Sequence, residues 1–143
     1  MSKERFDERT HEALAAAERL REALALGDDP IIRDAVIQRF EFTFETVWKA
    51  LKLFLEHQGY SAPSPRAVLK TAFVEGAIEG SEDADVWLRM LEDRNLTTHA
   101  YDEVLAAHAY DEVLAARIFA HVRDEYSERL TAMAQRMAGW TWD

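Results

Sequence analysis

Apolar side chains recur every three or four residues along most of the chain, which is the spacing of one face of an α-helix. Two stripes are especially regular, one after Pro30 and one towards the end of the sequence. No segment alternates apolar and polar residues as a half-buried strand would, so the pattern predicts an all-α protein. The stripe positions are Ile37, Phe40, Phe44, Val47, Leu51 and Phe54, and then Phe119, Val122, Tyr126, Leu130, Met133 and Met137.

Helix-breaking and capping residues divide this pattern into five predicted helices. Gly27 and Gly59 end the first two helices, and Asp29-Pro30 places an N-cap residue before a proline at the first helical position. We predict an antiparallel, up-and-down bundle of four or five helices in a single domain, residues 1–143, with a tail at 139–143. The predicted helices run from about Lys3 to Leu26, from Pro30 to Gln58, from Ser64-Pro65 to Val74, from a cap at Ser81, and from Thr98 to about Met137.

Composition narrows the class of protein. The chain of 143 residues has no cysteine, which excludes disulfides and thiolate metal sites and fits a reducing compartment. The sequence contains no uninterrupted apolar run of about 18 residues, and Met1–Arg5 does not open a signal peptide. We therefore expect a cytoplasmic protein with no membrane partner.

Charge is distributed unevenly along the chain. The formal net charge of −10 repels nucleic acid overall, yet residues 33–70 carry a balance of +2 and residues 71–143 a balance of −9. RNA contact would therefore have to be local, whereas the acidic half faces either a basic partner or water. On charge balance alone, the candidate phosphate- or RNA-binding residues are Arg39, Lys49, Lys52, Arg66 and Lys70.

Residues 94–101 form an Arg-x4-His-x-Tyr string that we expect to cross a short loop between the last two helices. There Arg94 could hold the charge of a phosphate while His99, near the start of the fifth helix, moves a proton. The helix N-terminus would favour an anion and keep the imidazole neutral. The alternative is a pair that only caps or joins helices. Arg117 and His121, one turn apart, are expected to lie on a solvated helix face.

A tandem repeat complicates this string. The residues His-Ala-Tyr-Asp-Glu-Val-Leu-Ala-Ala occur at 99–107 and again at 108–116. Nine residues of helix rotate the chain by about 900°, which leaves half a turn, so only one copy can share the core register of the stripe that follows. We expect the second copy, with Val113 and Leu114, to dock on the core. His108 and Tyr110 would then stand in for His99 and Tyr101.

Four blocks in this order make the sequence, over about residues 5–130, resemble the nucleotidyltransferase substrate-binding protein family of the HEPN superfamily. The blocks are residues 38–52 (Gln-Arg-Phe-Glu-Phe-Thr-Phe-Glu-Thr-Val-Trp-Lys-Ala-Leu-Lys), Ser64-Pro65-Arg66, Trp87 with Met90-Leu91, and residues 94–103.

The resemblance implies a HEPN-like helical bundle that dimerises and is encoded beside a minimal nucleotidyltransferase. Relatives with Arg-x4-His-x-Tyr act as RNase toxins of toxin–antitoxin pairs, silenced when the transferase adds AMP to the tyrosine (AMPylation). By that resemblance Arg94 and His99 are the ribonuclease pair and Asn95 is their polar neighbour. Tyr101 is the modified residue, with Tyr110 as the alternative. RNA is the implied substrate, and no metal or other cofactor is required.

Three function classes remain open at this point. The chain is an RNase toxin neutralised by a nucleotidyltransferase, a non-catalytic substrate-binding subunit of that transferase, or a structural helical dimer with a degenerate motif. We expect a homodimer through the second and fifth helices, because the aromatic stripe on the second exceeds what one small bundle needs. Glu45 and Lys49 are spaced to pair, and Trp140 and Trp142 dock either on the bundle or on a partner.

Overall fold

The computed structural model describes residues 2–102 and 108–142, and gives the backbone alone at residues 2, 98–102 and 108–111. All of its regular elements in these ranges are helical, which confirms the predicted all-α bundle. The helices are α1 (Ser2–Leu24), α2 (Pro30–His57), α3 (Pro65–Val74), α4 (Ser81–Asp102), α5 (His108–His121) and α6 (Ser127–Ala138), with a π-helical turn at Val122–Tyr126 between the last two.

The predicted starts of α2 and α3 are confirmed by their capping bonds. The Asp29 carboxylate accepts from the backbone N–H groups of Ile31 and Ile32, at 2.8 and 3.1 Å. The Ser64 hydroxyl accepts from the N–H of Ala67 at 3.2 Å. Each cap is followed by a proline, whose missing N–H is one that a helix start leaves unpaired in any case.

The two apolar stripes meet in one core, as predicted. Helix α1 packs along α2 and also against α6, while α4 contacts α2, α3 and α5. Phe40 stacks on Tyr126 with ring centroids 5.4 Å apart, which joins the two stripes directly. Each fully buried side chain of this size contributes about 1.5–3 kcal/mol, so the stripes supply much of the stabilisation of the fold. No helix within residues 2–102 and 108–142 is long and apolar enough to cross a membrane.

Three aromatic residues of the α2 stripe, Phe40, Phe44 and Trp48, belong to this core and are not a surplus. Phe40 and Phe44 are fully buried within one chain, and Trp48 is 9% exposed. The expectation that this aromatic stripe exceeds what one bundle can bury is therefore wrong, although the homodimer itself stays a prediction. Two large apolar side chains of α2 are exposed, Ile31 at 81% and Phe42 at 58%.

The string from Arg94 onwards is helical, so the predicted loop is wrong. Helix α4 continues to Asp102, since the segment contains neither glycine nor proline and Thr97 is buried with its hydroxyl donating to the carbonyl of Arg94 at 2.8 Å. Positions 94 and 99 are consequently about 140° apart around the helix axis. Position 99 also lies in the last turn of α4, where the backbone presents carbonyl groups and not the N–H groups expected of a helix start.

The second copy of the repeat supplies the core contact. Leu114 is 6% exposed and belongs to the core cluster, which confirms the predicted register for this residue. Val113 is 70% exposed, so its predicted burial is wrong. The helix turns by about 100° between Val113 and Leu114, and at this point of α5 only Leu114 faces the core. Leu105 and the rest of residues 103–107 lie outside the described part of the chain.

The tryptophans of the tail pack on the bundle. Trp142 stacks on His57 with ring centroids 4.0 Å apart and also contacts Phe6 at 5.1 Å. Trp140 lies 4.6 Å from Phe54. These contacts decide between the two alternatives for the tail in favour of docking on its own chain.

Candidate functional site

Arg94 is held at the boundary between α4 and α2. Its guanidinium donates to Oε2 of Glu45 at 2.5 Å and to Oδ1 of the adjacent Asn95 at 3.2 Å. The side chains of Arg94 and Glu45 are 24% and 30% exposed, so the ion pair is partly open to solvent. The packing of α4 against α2 brings Arg94 and Glu45 together.

Glu45 accepts hydrogen bonds from three different side chains. The indole Nε1 of Trp48 donates at 3.0 Å and Nζ of Lys49 at 3.1 Å, in addition to Arg94. The predicted pair of Glu45 and Lys49 is thereby confirmed. Burial opposes the charge on Glu45, but the bonds from Trp48 and Lys49 and the charges of Arg94 and Lys49 outweigh it and lower the pKa of the carboxyl group. Glu45 is therefore held as a carboxylate.

Glu41, one turn earlier on α2, behaves in the opposite way. Burial raises the pKa of its carboxyl group, and the Thr97 hydroxyl and the charge of Arg94 only partly offset that effect. Its Oε1 atom is buried and finds no hydrogen-bond partner in the part of the chain that the structure describes. The two glutamates of α2 that interact with Arg94 therefore differ, because folding lowers the pKa of Glu45 and raises the pKa of Glu41.

Asp93 forms a second polar cluster on the other side of α4. Its buried carboxylate contacts Nδ1 of His121 at 2.8 Å and accepts from the Tyr126 hydroxyl at 2.6 Å. Burial and the hydrogen bond to Asp93 raise the pKa of Tyr126. The expectation that His121 lies on a solvated face is therefore wrong, while Arg117 is exposed as expected.

Periodicity could not have found this cluster. The π-helical turn, in which the N–H of Ser127 bonds to the carbonyl of Val122, shifts Tyr126 relative to His121 by one residue. That shift brings both side chains to Asp93. The one indication in the sequence was Asp93, an acidic residue immediately before Arg94.

Four predicted site residues fall outside this geometry. The side chains of His99, Tyr101, His108 and Tyr110 lie outside the described part of the structure. The pairing of Arg94 with His99 therefore stays a prediction. Asn95 is exposed and accepts a hydrogen bond from Arg94, and its supporting role stays a prediction.

The five basic candidates have different local surroundings, and their role in phosphate or RNA binding stays a prediction. Lys49 and Arg94 both pair with the Glu45 carboxylate. A predicted phosphate-binding residue and a predicted catalytic residue therefore lie beside the same side chain. Arg39 instead donates to the backbone carbonyl of Arg19 on α1, at 2.7 Å. Arg66 and Lys70 lie exposed on α3, and Lys52 is half-buried on α2.

Two further features of the described structure bear on the chemistry of the site. Across residues 2–102 and 108–142, no three histidine, aspartate or glutamate side chains are grouped as metal ligands would be. An open cleft of about 310 Å³ lies between the tail and the end of α2, lined in part by Phe54, Glu75, Arg136 and Trp140. Arg136 lies over the ring of Trp140 at 6.0 Å, and Glu75 accepts from the Tyr60 hydroxyl at 2.7 Å. Its charged groups are thus already engaged with aromatic neighbours.

Comparison with known proteins agrees with the sequence resemblance. The chain is similar to a crystal structure of a protein from Thermus thermophilus, with 36% sequence identity and a TM-score of 0.68, over 92% of this chain and 99% of that one. No curated protein matches the chain. The family model described as "Nucleotidyltransferase substrate binding protein like" matches residues 8–139. The match covers nearly the whole chain, including every helix of the bundle and the Arg94 string, and the chain therefore belongs to this family.

Proposed function

We propose that this protein is a HEPN-type ribonuclease toxin that a partner nucleotidyltransferase neutralises. The observation that carries the proposal is the meeting of Arg94 with Lys49 on a single, partly exposed carboxylate. Two cations directed at one anionic group can form the same charge-assisted hydrogen bonds with a phosphate. Family membership supports a nucleotidyltransferase as the partner.

The chemistry needs one base, one acid and one cation. The imidazole of His99 takes the proton of an RNA 2′-hydroxyl, and the oxygen attacks the adjacent phosphorus. The bond to the 5′-oxygen breaks, that oxygen takes a proton, and the products are a 2′,3′-cyclic phosphate and a 5′-hydroxyl. Arg94 neutralises the charge that develops on the phosphoryl oxygens. The carbonyl end of α4 favours the imidazolium that His99 becomes after accepting the proton.

A homodimer would supply the acid. One histidine per motif would have to serve as both base and acid, whereas two motifs facing each other give each role its own imidazole. We expect sedimentation at micromolar concentration to give a dimer. A strictly monomeric mass would contradict this part of the proposal.

Neutralisation would act on the same site. The partner transfers AMP from ATP to the hydroxyl of Tyr101, releasing pyrophosphate, and the new phosphodiester places negative charge near Arg94. The test is expression of the chain alone and together with the transferase, followed by intact-mass measurement and peptide mapping. Arrested growth without the partner and one adenylyl adduct on Tyr101 with it support the proposal. An adduct on Tyr110 would move the site to the second repeat, and no adduct on any tyrosine would overturn this mechanism.

A second candidate function is a non-catalytic substrate-binding subunit of the transferase. Two observations favour it, the description of the family and the engagement of Arg94 by Glu45. Tight binding to the transferase by a purified protein that leaves RNA intact would establish this candidate over the toxin.

A further inference from the structure

Three donors from two helices converge on the carboxylate of Glu45. Arg94 brings a guanidinium from α4, and Lys49 and Trp48 bring an ammonium and an indole N–H from α2, at 3.1 and 3.0 Å. Charged and neutral N–H donors of these kinds also bind the oxygens of a phosphate group, which is larger than a carboxylate and has more acceptor sites. The donor set is therefore suited to an anion with more oxygens than Glu45 offers.

Local charge permits an external anion here in spite of the acidic chain. Arg94 and Lys49 together carry two positive charges against the single carboxylate of Glu45. Glu41, one turn earlier on α2, also interacts with the charge of Arg94, and its Oε1 atom is buried without a hydrogen-bond partner among the described residues. If Glu45 moved out, two cations and the Trp48 N–H would face the incoming group.

We propose that Glu45 is a resident carboxylate that occupies a phosphate-binding site formed by Arg94, Lys49 and Trp48, and that a phosphate group enters by displacing it. This inference rests on the proposed role of Arg94 as the phosphate-binding cation. The side chains of Lys49, Glu45 and Arg94 are 38%, 30% and 24% exposed, so solvent reaches the cluster and Glu45 can turn outwards from α2 without unfolding the helix.

The resident carboxylate makes the empty protein a weak binder. Each phosphate must break the bonds of Glu45 before it can form its own, and the net affinity is the difference between the two. Glu45→Gln removes the competing charge at nearly constant volume. We expect phosphate to bind this variant about ten-fold more tightly or better, since hydrogen bonds between charged groups are stronger than those to a neutral amide.

The experiment uses the full chain, its four tryptophan indole N–H signals in proton–nitrogen correlation spectra, and two probes. Inorganic phosphate represents the free ion. The dinucleotide dTpdT represents a phosphodiester that lacks the 2′-hydroxyl and so cannot be cleaved by the proposed reaction. The Trp48 signal is assigned by its loss in Trp48→Phe. Glu56→Gln is the control, because it removes the same charge from an exposed position on the same helix.

The expected result is that the Trp48 indole signal shifts on titration and that the apparent affinity rises about ten-fold in Glu45→Gln but not in Glu56→Gln. Glu45→Asp, which keeps the charge but shortens its reach, should bind with intermediate affinity and serves as the second variant if Glu45→Gln is unstable. A preference for dTpdT over inorganic phosphate identifies a nucleic-acid backbone as the source, and the reverse preference identifies the free ion.

Equal affinity in Glu45→Gln and Glu56→Gln would overturn the inference, as would a shift confined to another tryptophan. The result is separable from the proposed activity, because the binding experiment involves no cleavage. If Glu45→Gln binds phosphate more tightly while the protein leaves RNA intact, the phosphate-binding site is supported and the ribonuclease function is wrong. If RNA is cleaved but Glu45→Gln binds phosphate no more tightly, the inference that Glu45 occupies the phosphate site is wrong and the ribonuclease function is unaffected.

Discussion

Asp93 and Arg94 are consecutive residues of α4 that bind to different neighbouring elements of the bundle. Asp93 contacts His121 and Tyr126 on the side of α5 and the π-helical turn, while Arg94 pairs with Glu45 on α2. Successive helix positions are about 100° apart, so one short stretch of α4 can be held from two directions. The rotation of α4 about its axis is fixed where the candidate site begins.

The Asp93 cluster should contribute to the stability of the fold. Tyr126→Phe removes a hydroxyl that donates to a buried carboxylate, so we expect the free energy of unfolding to fall by about 1–3 kcal/mol. Urea unfolding monitored by circular dichroism measures the change. Tyr60→Phe, which removes an exposed hydroxyl bonded to Glu75, is the matched control and should leave the midpoint almost unchanged. Equal losses in the two variants would contradict a special role for Asp93.

The register of the second repeat can be tested with neighbouring residues. Leu114→Ala deletes a buried side chain and should lower the free energy of unfolding by about 2–5 kcal/mol. Val113→Ala changes a side chain that is 70% exposed and should shift it by no more than about 0.5 kcal/mol. Thermal and urea unfolding of both variants give the comparison. A larger loss in Val113→Ala would mean that the other face of α5 packs on the core.

Glu41 should make stability depend on pH. A carboxyl group whose pKa is raised by folding favours the folded state below its ordinary value of 4.5, and that contribution is lost as the pH rises through the raised pKa. The ionised group therefore costs stability at neutral pH, and Glu41→Gln should be more stable than the wild type there. The advantage should shrink as the pH falls towards 4.5. Urea midpoints across this range, with Glu56→Gln as the charge-matched control, measure it. A constant difference between Glu41→Gln and wild type at every pH would exclude titration of Glu41 as the cause.

Cleavage assays on the purified protein test the proposed pair. His99→Ala should abolish RNA cleavage, because general acid–base groups contribute about 10²–10⁴-fold, and Arg94→Ala should reduce it at least about ten-fold. Both variants should still fold, and circular dichroism checks this. Arg117→Ala, at an exposed position on α5, is the control and should retain full activity. Full activity in His99→Ala would remove His99 from the mechanism, and loss of activity in His108→Ala would then assign its role to the second copy.

Local sequence determined the helices and most of their ends. The three- and four-residue steps of apolar side chains depend on the 3.6-residue period of the helix alone, and the caps at Asp29 and Ser64 use atoms within three residues of each other. The sequence also carried the family through its ordered blocks, and it singled out Arg94, Asn95 and Lys49, which the structure brings together. It placed the Arg94 string in a loop wrongly, because the fifth helix was predicted to start at Thr98, where no residue breaks the helix.

Only the tertiary structure decided which partners these residues bind. Glu45 was predicted to pair with Lys49 one turn away, and the bond from Arg94 depends on how α4 packs on α2, 49 positions further along the chain. The cluster of Asp93, His121 and Tyr126 needs both that packing and an irregular π-helical turn, which a regular period cannot indicate. The tail likewise docks through rings on α1 and α2. Helices and their caps follow from the spacing of residues along the chain. Pairing of side chains between helices depends on how each helix is rotated and positioned against its neighbours. Those positions are fixed only when the whole core is buried.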